Sequence, residues 1–282
     1  MTLTIRMTCA LAMALWATGT LAAAADAAPP PPAAPSLAAH RAVYDLTLAS
    51  STDAKGPNTA RGRIAFDFTG NSCEGYVQNF RQMTEVQPAD GPSRISDMRS
   101  ATFEDGDGRT FRFKVESTVD NAGVEDVDGR AAKSGDGALS VSLSRPRPSK
   151  LDLDQAVVFP TEHLRRILEA GRQGKKILEA KVYDGSDSGQ KVFESLTVIG
   201  ARTVAPVPEK AAQIPQMQNM PRWPVSISYF EEGKKDSPPS YTLSFDLYEN
   251  GVSRALKFDY GDFVLLGELT KLEFLPSNPC KK

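Results

Sequence analysis

The sequence predicts a mainly β fold, an antiparallel sandwich or barrel of about a dozen short strands with one helix packed on it. Three observations carry that expectation. Apolar residues recur with period two along most of the chain, the spacing that sends successive side chains to opposite faces of a sheet. Turns rich in Gly, Asn and Asp separate these runs, with none of the alternating strand and helix units of a doubly wound fold. An apolar stripe with helical spacing occurs once, near the middle.

Tyr44, Leu46 and Leu48 alternate in the first run, and Ile64, Phe66 and Phe68 in the second. The pattern returns at Phe111, Phe113 and Val115, and at Leu139, Val141 and Leu143. Between them, Asp105-Gly106-Asp107-Gly108 reads as a hairpin turn, because such connections need positive φ that these residues adopt cheaply. The helix follows: Thr161 is placed as its N-cap, Glu162 in the first turn, Leu164, Ile167 and Leu168 on one apolar face, and Gly171 at its end. A longer loop over 184–189 then joins strands at 177–183 and 191–199. Residues 201–222 contain Pro206, Pro208, Pro215 and Pro221, which exclude regular structure, yet also the apolar Ile214, Met217 and Met220. Such a segment is a mobile loop or a functional flap, and mobility is the expectation. The last strands are the clearest, with Val225, Ile227 and Tyr229 in one and Tyr241, Leu243, Phe245 and Leu247 in the next. Asn250-Gly251 is expected to join 241–249 to 252–260 as a two-residue hairpin.

The N-terminus reads as an export signal over residues 1–25. Arg6 supplies the charge, residues 7–15 the apolar run, and residues 22–28 several small-residue cleavage sites, the expected one near Ala25. The run is too short for a hydrocarbon core, which needs roughly 20 apolar residues in a helix. No later segment reaches that length, so the expected location is the periplasm with no transmembrane segment in the mature chain. Residues 26–37 form a Pro/Ala-rich linker, and a single β-rich domain is expected over 38–282. Loss of Cys9 with the signal leaves Cys73 and Cys280 as an even pair in an oxidising compartment. Two thiols there usually pair, the alternative being two unpaired buried thiols.

Composition excludes several functions. The chain has 282 residues, 33 Lys and Arg against 35 Asp and Glu, and a net charge of -2, so no basic block exists for nucleic acid. Three Cys and 2 His do not build a zinc ribbon. Asp105, Asp107 and Glu116 fall at positions of a calcium loop, but Arg109 and Thr110 stand where a ligand and a Gly are required. No nucleophile elbow, zincin pair or phosphate loop is present. Any imidazole mechanism must therefore use His40, expected at the surface, or His163, expected to hydrogen-bond at the helix start and tie the helix to a strand. No catalytic, cofactor or metal residue is assigned. The remaining feature is an aromatic-lined inner face, which is either core or a site for an acyl chain or a partner segment.

Residues 39–46 (Ala-His-Arg-Ala-Val-Tyr-Asp-Leu), Gly62-Arg63-Ile64, Cys73-Glu74-Gly75-Tyr76, Phe159-Pro160-Thr161-Glu162-His163 and the terminal Cys280 together give a further reading. In this order, behind an export signal, they resemble the EipB family of periplasmic cell-envelope-integrity proteins, from His40 to Cys280. The resemblance implies an antiparallel β-spiral or broken β-barrel with a packed helix, similar in outline to periplasmic lipoprotein carriers. It implies a disulfide between Cys73 and Cys280, a non-enzymatic role in envelope integrity under stress, and a periplasmic tetratricopeptide-repeat protein as partner. It brings no ligand or active site. The expected function is thus binding of an envelope protein. The alternatives are a lipid or lipoprotein carrier using the concave apolar face and a hydrolase centred on His163.

Overall fold

The computed structural model describes residues 37–52, 56–135, 137–153, 156–233, 237–276 and 280. The expected export signal and all of the expected linker except Leu37 lie outside the described residues. Leu37, taken above as the linker's last residue, is already buried in the core at 6% exposure.

The chain first lays down a meander of antiparallel neighbours: β1 (His40–Ser51), β2 (Thr59–Asn71), β3 (Gly75–Gln87), β4 (Arg94–Glu104) and β5 (Thr110–Val119). It continues through β6 (Ala122–Lys133), β7 (Leu139–Arg145) and β8 (Ser149–Leu153). Helix α1 (Pro160–Arg172) then carries the chain to the opposite edge of the sheet. From there β9 (Ile177–Val182), β10 (Phe193–Ile199), β11 (Arg222–Glu231), β12 (Tyr241–Tyr248), β13 (Ser253–Asp259) and β14 (Phe263–Phe274) return until β14 pairs with β1.

The result is one 14-stranded sheet whose outermost strands, β8 and β9, are consecutive in sequence and separated by α1. It is a broken barrel, open between those two strands, as the fold-class expectation states. Just before α1, Val158 makes a short parallel bridge to Val182 that covers part of the β9 edge. The ends of the sheet also meet through side chains. Tyr183, directly after β9, packs edge-on against Phe113 of β5 with ring centroids 5.7 Å apart. Phe159, before the helix, stacks on Phe111 at 5.1 Å. Each such aromatic pair adds about 0.5–1.5 kcal/mol beyond area burial.

Alternation explains the strands. In β1 the inward His40, Ala42, Tyr44 and Leu46 are buried while Arg41 and Thr47 face solvent. The same parity in β5 and β7 buries Phe111, Phe113, Val115, Leu139, Val141 and Leu143 into a second apolar cluster with Phe159 and Tyr183. Helix α1 presses Ile167 and Leu168 into the main cluster, each burial worth roughly 1.5–3 kcal/mol.

Three local expectations are corrected. Pro160 opens the helix behind Phe159, and Thr161 is its second residue rather than its cap. Gly171 does not end the helix but lies inside it, where a Cβ would come within 3.2 Å of the Trp223 indole; Gln173 is the C-cap. The β12–β13 connection is a three-residue loop. Tyr248 N–H donates to Val252 O at 2.9 Å, Gly251 N–H donates to Tyr248 O at 2.9 Å, and Gly251 takes φ 88°. A two-residue turn of the Asn-Gly type needs positive φ at both positions. Here the Asn250 side-chain oxygen instead accepts the Val252 N–H at 3.2 Å.

Candidate functional site

Helix α1 lies across the inner face of the sheet and leaves a cavity of about 240 Å³ beneath it. Phe66 and Phe68 of β2 form one wall, Ile227 of β11 with Leu243 and Phe245 of β12 another, and His163, Leu164 and Ile167 of α1 the roof. Both histidines of the described chain reach this space.

His40 is buried, not at the surface, with 2% exposure. It opens β1 in the inward register of Ala42 and Tyr44, so strand parity decides its position rather than its place at the start of the fold. Its ring lies 5.8 Å from Phe66 and 5.9 Å from Phe68, and Nδ1 is 2.8 Å from Ala38 O. Burial holds its pKa below the ordinary value, against the opposing pull of that hydrogen bond.

His163 ties the helix to two strands. Its Nε2 lies 3.4 Å from Ser195 Oγ on β10, and Ser195 Oγ donates its proton to Ala180 O of β9 at 2.9 Å. A hydrogen bond between the pair then requires the neutral imidazole with the proton on Nε2, a tautomer assigned from this network. Nε2 is in that arrangement a donor, not a base for the hydroxyl. Burial, reinforced by Arg166, pushes the imidazole down to about 4.

The group that positions the helix is one the sequence patterns did not single out. Glu104, at the end of β4, accepts the backbone N–H of Thr161 at 2.7 Å and of Glu162 at 2.8 Å. It supplies from a strand the cap that Thr161 was expected to provide, satisfying two of the orphan donors at the helix start. Burial pushes its carboxyl up to about 7, against the pull of the two donors. Thr161 Oγ1 instead accepts a bond from Gln78 Nε2 at 2.9 Å. Lys133 of β6 completes the anchor, 2.6 Å from Glu162 and over the Phe159 ring. No sequence signal marks Glu104, because a cap supplied across 57 residues has no local spacing.

The calcium-like stretch is a turn. Asp105 accepts the N–H groups of Arg109 at 2.7 Å and Thr110 at 3.0 Å, so its carboxylate closes its own loop.

The loop over 201–222 is held in place, against the expectation of mobility. Glu209 is buried and pairs with Arg254 of β13, which also bonds Asp246, itself 3.0 Å from Arg222. The pairing of β13 with β14 runs only from Leu256 to Asp259, and beside it Ala255 adopts φ 50°. The Glu209 carboxylate fills the gap by accepting the N–H groups of Leu269 at 3.0 Å and Ala255 at 3.3 Å. Met217 packs with Tyr248 and Val252 in a small apolar cluster of its own. Four prolines deny the loop regular hydrogen bonds, but tertiary partners replace them.

Cys73 and Cys280 form a disulfide spanning 207 positions, with Cα atoms 5.7 Å apart. It fastens the β2–β3 turn to the C-terminal tail. No helix among the described residues is long and apolar enough to cross a membrane.

Comparison with known proteins follows the same lines. Residues 31–276 match the family described as EipB-like. The cell envelope integrity protein EipB of Brucella abortus (strain 2308) is 37% identical over 246 residues, covering 87% of each chain. The crystal structure of a β-barrel-like protein, a domain of unknown function from Brucella abortus, superposes with a TM-score of 0.80 at 36% identity. It covers 86% of this chain and 99% of that one.

Proposed function

Because this chain belongs to the EipB-like family, we propose that it maintains cell-envelope integrity from the periplasm, without catalysis, by binding another envelope protein. The observation that carries this reading is the occupied interior. Helix α1 fills the concave face, and the cavity of about 240 Å³ left beneath it is smaller than the roughly 300–1,000 Å³ of small-molecule sites. His163 donates to a serine whose own proton is committed to a carbonyl, which disfavours a hydrolase centred on it. Recognition then falls to the outer surface. The partner we propose is the periplasmic tetratricopeptide-repeat protein that the family resemblance implies. Deletion of the gene is expected to sensitise cells to detergent and cell-wall antibiotics, and crosslinking in intact periplasm to capture that partner. Unchanged growth of the deletion strain removes the envelope role, and full rescue by His163→Ala removes the hydrolase.

A specific feature favours a second reading, a lipid or lipoprotein carrier. Tyr229 stacks on Tyr241 at 4.8 Å and Tyr260 on Phe263 at 4.9 Å, and Tyr229 also lines the cavity. An acyl chain entering past these rings would need α1 to yield. Native mass spectrometry of protein purified from periplasm distinguishes the two: a bound acyl species supports the carrier, and an empty protein supports the partner.

A further inference from the structure

The outer face of the sheet carries a cationic row that the envelope role leaves unexplained. Arg112 on β5 stands directly opposite Arg130 on β6, Arg130 opposite Ser142 on β7, and Ser142 opposite Lys150 on β8. Like charges placed opposite one another on neighbouring strands cost stability. Elsewhere on this face the problem is solved by pairing. Arg41 pairs with Asp67, Arg61 with Glu85, Arg63 with Asp45, and Arg81 and Arg99 with Asp97. Arg112 and Arg130 have no carboxylate within ion-pair distance among the described residues. The nearest row is already satisfied internally, with Lys114 on Glu116 and Asp128 on Arg145.

Two further observations make this row a site rather than a charged patch. The surface here forms a shallow, open depression of about 700 Å³ whose charged lining is Arg112, Lys114 and Arg130 with the single carboxylate of Asp128, itself paired with Arg145. The β6–β7 register slips between Asp128 and Gly129, immediately before Arg130, a kind of irregularity that re-aims a neighbouring side chain. Phe103 holds the Arg112 guanidinium over its ring at 5.5 Å, which orients the planar fork.

The geometry points to a binding site for a phosphate group in this depression, held by the forks of Arg112 and Arg130 with Ser142 and Lys150 beside them. A phosphate monoester carries about two negative charges and three acceptor oxygens, enough to neutralise both guanidinium groups at once. A single carboxylate neutralises only one. The same chemistry is offered by a lipid headgroup and by a soluble phosphate compound.

The test uses the purified protein in chloride buffer, the double variant Arg112→Gln/Arg130→Gln, and inorganic phosphate as the probe. Phosphate is expected to raise the melting temperature of the native protein and to bind the double variant more than about tenfold more weakly, since both charge-assisted contacts are lost. Without phosphate, Arg130→Gln alone is expected to raise the melting temperature, because it relieves the repulsion and leaves the Arg112–Phe103 contact in place, whereas Arg81→Gln, which breaks a pair, lowers it. Vesicles of phosphatidylcholine with phosphatidic acid separate the sources. Vesicle binding that the double variant loses assigns a lipid headgroup, and binding of inorganic phosphate by a protein that does not bind the vesicles assigns a soluble ligand. The site is overturned if phosphate and vesicles fail to bind, if they act equally on both proteins, or if Arg130→Gln destabilises as Arg81→Gln does.

Discussion

The Glu104 carboxylate accepts the backbone N–H of Thr161 at 2.7 Å, so the end of a strand caps a helix that begins 57 residues later. This contact fixes where α1 lies across the sheet, and with it the roof of the cavity. Glu104→Ala leaves two buried N–H groups without acceptors and is expected to cost about 1–3 kcal/mol, read by chemical denaturation. The carboxyl's native value, about 7, lies above its ordinary 4.5. Its stabilising effect is therefore complete below about pH 4.5 and is lost as pH rises through about 7. Glu104→Gln, which cannot ionise, should flatten that part of the pH–stability curve; an unchanged slope contradicts the assignment.

The imidazole of His163 works in the opposite sense. Its native value near 4 lies below the ordinary 6.5, so the stability it contributes is present above about pH 6.5 and is lost as pH falls through about 4. His163→Phe should show less acid destabilisation across that window in urea titrations at several pH values. Ser195→Ala removes the acceptor that faces Nε2 and is expected to cost about 1–3 kcal/mol.

Removing Glu209 strands Arg254 in the interior with one of its two carboxylates gone. Glu209→Ala is expected to destabilise by about 3–5 kcal/mol, the usual penalty for breaking a buried pair. Amide exchange adds a local readout, because Leu269 and Ala255 lose the acceptor that protects their N–H groups. Unchanged protection there would count against the loop as a stitch in the sheet.

The disulfide acts on stability more than on the fold. Cys73→Ser or Cys280→Ser is expected to lower stability by about 2–4 kcal/mol while the protein still folds, since a core of this size does not depend on one staple. Equal melting temperatures with and without reductant would contradict this.

Most of the fold was legible because it is written in local periods. Tyr44, Leu46 and Phe111, Phe113 each name an inward face by alternation alone, and Ile167 with Leu168 marks the buried stripe of α1. The same rule, applied to His40, would have placed it inside: it shares the parity of Ala42 and Tyr44, and its position at the start of the domain misled. Glu104 and Glu209 carried no such mark. Each is a carboxylate whose partners, backbone N–H groups and for Glu209 the Arg254 guanidinium as well, come from distant segments, and nothing in the neighbouring residues records them.

By itself the sequence determined a β-rich chain with one helix and the family it belongs to, since both rest on residue identity and short-range spacing. Tertiary structure alone decided where the barrel breaks, what caps the helix and how the proline-rich loop is held. Those outcomes turn on burial. A carboxylate or imidazole enclosed by the fold must find a hydrogen-bond partner wherever the chain brings one, and that partner's place in the sequence is free. The opposed Arg112 and Arg130 show the converse: ordinary in sequence, 18 positions apart, they became a site only when strand register set them face to face.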